Sequence, residues 1–132
     1  MVRAKFIPLR IVSDIRAEIG GFIIKDPTMY AWYRGEAVTE VPAGASFEIH
    51  CEYTIQNTQA GFSVLWSTCM TVYDVTHSKP IGSDIFNMHS GGGVKSAHDA
   101  VNVKMPDEPT TFRVKIFGYN EQISTPPPVT EW

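Results

Sequence analysis

Apolar and polar side chains alternate through most of this chain with a period of two, the signature of strands that bury one face. The clearest stretch sets Phe47, Ile49, Cys51, Tyr53 and Ile55 against Glu48, His50, Glu52, Thr54 and Gln56. Val41-Pro42-Ala43-Gly44-Ala45 leads into it as a turn, and the polar run from Gln56 to Gly61 leads out of it. Over residues 62–76 a second strand is predicted, with Phe62, Val64, Trp66, Met70 and Val72 on one face and Ser63, Ser67, Thr71 and Tyr73 on the other. Leu65, Cys69 and Val75 also fall on that other face, so both sides should be partly covered.

After a turn at Thr76-His77-Ser78-Lys79-Pro80, a shorter strand is expected from Ile81 to Met88, and Ser90-Gly91-Gly92-Gly93 then breaks regularity as a loop. Ala97, Asp99, Val101, Val103 and Met105 form one face of the next strand, which stops at Pro106-Asp107-Glu108-Pro109. Phe112, Val114 and Ile116 mark the inward face of the last strand, with Phe117 and Tyr119 opposite. Beyond Asn120, Ser124-Thr125-Pro126-Pro127-Pro128-Val129 cannot sustain a ladder and predicts an extended tail.

The first forty residues alternate less cleanly, because Pro8, Gly20 and Gly21 interrupt them, and two or three short strands are expected there. Between Ser13 and Gly20, Ile15, Ala17 and Ile19 alternate with Asp14, Arg16 and Glu18, which favours a strand over a capped helical turn. No sustained helical period and no internal repeat is present. The reading is an all-β fold, a sandwich of about seven strands in two antiparallel sheets. Residues 1–12 are expected as an extended arm or edge strand, 13–120 as the sandwich and 121–132 as a Pro-rich tail.

Composition narrows the partners more than the fold. With 132 residues and 43% hydrophobic content the chain is long enough to bury a core unaided by disulfides or metal. A net charge of -3 gives no electrostatic reason to expect a nucleic acid. Apolar runs fall far short of the roughly 20 residues of a spanning helix, so membrane insertion is not expected. Pro8, Arg10 and Asp14 interrupt any signal-peptide core, which implies synthesis in the cytoplasm, with a virion or an extracellular assembly still open as destination. Cys51 and Cys69 are too few and wrongly spaced for a disulfide scaffold or a zinc motif and read as small buried hydrophobes; whether they meet is open.

The order of Cys51 in one strand, Trp66 in the next, and the Pro106-Asp107-Glu108-Pro109 corner before Phe112-Arg113-Val114-Lys115-Ile116 resembles immunoglobulin-like β-sandwiches over roughly residues 38–120. Val114 or a neighbour stands where an antibody-type domain has its second cysteine, and Phe112 where it has the corner tyrosine. The phrases Val41 to Ile49 and Met105 to Phe112 look like the strand openings of immunoglobulin-like modules in microbial surface proteins and virus or phage particles. The resemblance implies an adhesive, spacer, decorating or assembly role.

Chemistry-bearing residues are few. Among His50, His77, His89 and His98, the pair His89 and His98 flanks the glycine loop and is the candidate metal pair. Gly91-Gly92-Gly93 lacks the lysine and the helix of a phosphate cradle, and no serine or cysteine sits in a nucleophile signature. Tyr30, Trp32 and Tyr33 form a candidate carbohydrate-stacking set. Both chain ends carry apolar anchors, Phe6 and Ile7 at one and Trp132 at the other, suited to docking on a neighbour. The leading expectation is therefore a non-enzymatic structural module, without cofactor, that binds itself or another structural protein. A glycan-binding module is the alternative, and a small metal-dependent enzyme comes third.

Overall fold

The computed structural model describes residues 5–19, 21–58, 65–89 and 94–125, and among these the alternation resolves into ten strands and no helix. They are β1 (Phe6–Ser13), β2 (Glu18–Ile19), β3 (Phe22–Tyr33), β4 (Glu36–Val38), β5 (Glu40–Pro42), β6 (Ser46–Asn57), β7 (Leu65–Asp74), β8 (Lys79–His89), β9 (Val94–Lys104) and β10 (Thr110–Tyr119). One sheet runs β5-β1-β10-β7-β8. The other runs β2-β3-β6-β9, with β4 added to β3.

Four expectations need correction. The strands number more than seven, and the first sheet is mixed, because β1 runs parallel to β10 from Leu9 opposite Thr110 to Ser13 opposite Val114. This pairing joins the two ends of the chain, a contact to which local periodicity is blind. Pro8 is tolerated because it sits where β1 changes partner, opposite Glu40 of β5 on one side and one residue before the β10 ladder begins. The short strands expected near the N-terminus include one long one: β3 continues through Pro27 because a bulge between Lys25 and Thr28 takes the proline out of the ladder. Asp26 in that bulge has φ 52°. The strand expected from Ser13 to Ile19 shrinks to Glu18–Ile19, since Asp14 still bonds back to Val114 and the chain then leaves that sheet.

The apolar faces meet between the sheets. Phe22, Ile24, Phe47, Ile49, Ile55, Val101 and Val103 from one sheet and Ile7, Trp66, Met70, Val72, Phe112, Val114 and Ile116 from the other belong to one buried cluster. Phe22 packs on Trp66 at 5.2 Å and Phe47 on Phe112 at 5.9 Å between ring centroids. Each such ring contributes about 1.5–3 kcal/mol by leaving water. Gly118 on β10 makes room for Phe22, whose ring fills the space that a Cβ there would need.

Candidate functional site

On β6 the residues between the core positions face outward, and the register with β3 and β9 decides what surrounds them. Tyr30 lies opposite His50, Trp32 opposite Glu48 and Thr28 opposite Glu52. On the other flank Glu52 faces His98 and His50 faces Ala100. Trp32 is held at the end of β3 by a hairpin whose turn residues Arg34 and Gly35 have φ of 50° and 82°, as a type I′ turn requires.

The rings form one cluster. Tyr30 stacks on His50 at 5.1 Å with the planes 13° apart, and Trp32 meets Tyr30 edge-on at 6.0 Å and His50 at 5.9 Å. His50 and His98 come from adjacent strands, with Nδ1 of His50 2.7 Å from Nε2 of His98. The far nitrogen of His50, Nε2, lies 3.4 Å from Glu48 Oε1. The His50 side chain is 13% exposed, whereas His98 is open to solvent. Partial burial and the Glu52 carboxylate at its hydroxyl raise the pKa of Tyr30, so Tyr30 stays protonated.

Beside the rings, Asp26, Thr28, Glu52, Thr54, Ser96 and His98 line an open cleft of about 450 Å³. The bulge in β3 supplies its Asp26 corner. An aromatic ridge and a cleft of mixed lining, to which Phe86 and Ala97 add apolar surface, are thus continuous through Glu52 and His98.

The candidate residues are distributed as follows. Tyr30 and Trp32 come together; Tyr33, one residue on, points to the opposite side, where the Arg34 guanidinium lies 5.3 Å from its ring centroid. Tyr33 and the 51% exposed Phe6 instead line a second cleft of about 860 Å³. Ile7, the next residue, is buried. His98 finds His50 as its ring partner. His89 is opposite Leu65 at the end of β8, and its side chain, the glycine loop and Trp132 lie outside the described residues, as does the expected His89–His98 pair. Alternation places His50 on the polar face of β6, but its contact with His98 depends on the β6–β9 register, which local sequence does not carry.

Other polar groups are committed elsewhere. Asp74 accepts from the backbone N–H of His77 and lies 2.7 Å from its Nδ1, while Glu108 lies 2.6 Å from its Nε2. Hydrogen bonds to Asp74 first and Glu108 second raise the His77 pKa, and with both ring nitrogens spent His77 clamps the β7–β8 turn to the corner before β10. In the core the Tyr53 hydroxyl donates to Asp99 Oδ2 at 2.6 Å and contacts Thr68 Oγ1 at 2.7 Å. Burial pushes the Asp99 carboxyl up to about 7, and its Oδ1 is buried with no hydrogen-bond partner. Burial likewise raises Cys51 to about 12 and Cys69 to about 11, leaving both as free, protonated thiols.

Among the described residues no three His, Cys, Asp or Glu side chains group as a metal-binding set. No family model matches the chain, and no curated protein and no solved structure matches it either.

Proposed function

We propose that this protein is a non-enzymatic binding module of immunoglobulin-like type whose outer β3–β6–β9 face takes a carbohydrate. The observation that carries the reading is the continuity of the Tyr30–Trp32–His50 ring cluster with a cleft lined by Asp26, Thr28, Glu52, Thr54, Ser96 and His98. Sugars offer apolar C–H faces and a fringe of hydroxyls, and sites that hold them need aromatic surface beside convergent polar groups. The fold half of the reading draws support from the pairings. β6 with β9 and β7 with β10 lie as the B–E and C–F pairs of an immunoglobulin sandwich do, and β1 fills the place beside β10.

A glycan array followed by calorimetry on the hits tests it. Binding to a defined oligosaccharide, weakened at least about tenfold by Trp32→Ala, a loss of some 1.4 kcal/mol, is expected. A protein that retains no glycan, or a Trp32→Ala variant that binds as well as the parent, removes the reading.

One observation favours the assembly role as a second reading. Phe6 stands exposed beside the apolar cleft formed with Tyr33, Val38, Pro42 and Ala45. A solution mass equal to one chain at high concentration, unchanged by Phe6→Glu, would sink it.

A further inference from the structure

We propose that His50 and His98 form a two-histidine site for a divalent transition metal, copper(II), nickel(II) or zinc(II), on the outer face of β6 and β9. The inference does not require that a glycan binds, although His50 and His98 also belong to the face proposed for it. Two imidazole nitrogens from neighbouring strands face one another 2.7 Å apart, His50 Nδ1 toward His98 Nε2. Metal–imidazole bonds of about 2.0–2.1 Å place two ligating nitrogens about 3 Å or slightly more apart, so a small rotation of the exposed His98 ring admits the ion.

The tautomers suit the task. With the His50 proton on Nε2, toward Glu48 Oε1 at 3.4 Å, the Nδ1 lone pair faces His98. In that tautomer, without metal, His98 Nε2–H is the donor of the 2.7 Å contact. When the ion enters between the rings, the His98 proton moves to its Nδ1 on the solvent side, and both facing nitrogens become ligands with no net change in ring charge.

The ring of His50 is further fixed by Tyr30 stacked at 5.1 Å and by Trp32 at 5.9 Å. This preorganisation lowers the ordering cost that flexible surface histidines bear. Glu52, directly across from His98 in the ladder, is the neighbouring carboxylate on the same face. Two imidazoles favour copper, nickel and zinc over calcium and magnesium, which select oxygen ligands. Because His98 is exposed, water or an external ligand can fill the coordination positions that two imidazoles leave.

The experiment is titration of the intact protein with copper(II), nickel(II) and zinc(II) salts by calorimetry, with electron paramagnetic resonance on the copper form. One ion per chain with micromolar affinity is expected, together with a two-nitrogen signature and a higher melting temperature. His50→Ala and His98→Gln should each weaken binding at least tenfold, whereas His77→Asn should leave it unchanged. His98→Gln also guards against misfolding, because its amide still hydrogen-bonds to His50 Nδ1; metal-free melting is recorded for every variant. Glu48→Gln should weaken binding by a smaller factor. Absence of binding by all three ions overturns the site. So does full-strength binding in the His50→Ala/His98→Ala double variant.

Discussion

β6 and β7 follow one another in the chain, both pack into the same core, and they present opposite outer faces. Along β6 every second residue is buried, and Glu48, His50, Glu52 and Thr54 between them lie at or near the surface. Along β7 the outward residues Ser67, Cys69 and Thr71 are as buried as the inward Trp66, Met70 and Val72. The first sheet covers its own back: Phe117 and Ile85 flank Cys69, Tyr119 flanks Ser67, and the backbone N–H of Ile123 donates to Ser67 Oγ. Arg113 adds a guanidinium 5.0 Å from the Tyr73 ring. The second sheet carries no such cover over Tyr30 and Trp32 among the described residues, so its aromatic cluster does not serve as the floor of a second packed layer. A half-buried aromatic face of this kind is a candidate contact surface.

The comparison breaks most visibly at the two tryptophans. Trp66→Ala empties the space against Phe22 and should cost about 3–5 kcal/mol in urea unfolding. Trp32→Ala on the open face should cost about 1 kcal/mol or less while weakening the proposed glycan binding at least about tenfold. Equal destabilisation by both would mean that the outer face is structural.

The next largest effect belongs to Asp99, whose buried carboxyl ionises near pH 7 in the folded chain against an ordinary 3.8. The folded state therefore keeps a proton that the unfolded state releases, and stability should fall as pH rises from about 4 to about 7, by up to about 4 kcal/mol in all. Asp99→Asn should flatten that slope and raise stability at pH 8; a parent protein equally stable at pH 5 and pH 8 contradicts the assignment.

A chain ending at Asn120 loses the Ile123 bond to Ser67 and should be about 1 kcal/mol less stable. In it Cys69 should react faster with a thiol reagent while Cys51, inside the core, should not. Parallel acceleration of both would show that the tail supports the whole fold and not the outer face of β7.

The smallest effect is expected at His77. Its raised pKa means that its pairing with Asp74 and Glu108 contributes fully below the ordinary histidine range and fades as pH climbs past the folded value. His77→Asn should thus lower the melting temperature modestly at pH 6 and scarcely at pH 9.

β6, β9 and β10 were legible in sequence because each has one face in the core and burial of that face imposes the period of two, whereas β7 is buried on both faces and β8 is half-buried along most of its length. Phe47 to Ile55, Ala97 to Met105 and Phe112 to Ile116 all point inward as their alternation requires. β3 was harder to see because Pro27 breaks the pattern, and only a bulge in a paired strand makes a proline harmless there. Tyr30 and Trp32 share a face by parity alone, and parity equally removes Tyr33 from it.

What local sequence determined about this protein is its class and its inward faces, since these follow from the energy of burying side chains one strand at a time. Only the tertiary structure decided that β1 lies parallel to β10, that one outer face is closed and the other open, and that His98 meets His50. Those outcomes depend on register between strands far apart in the chain, where a shift of one residue would turn every side chain to the other face.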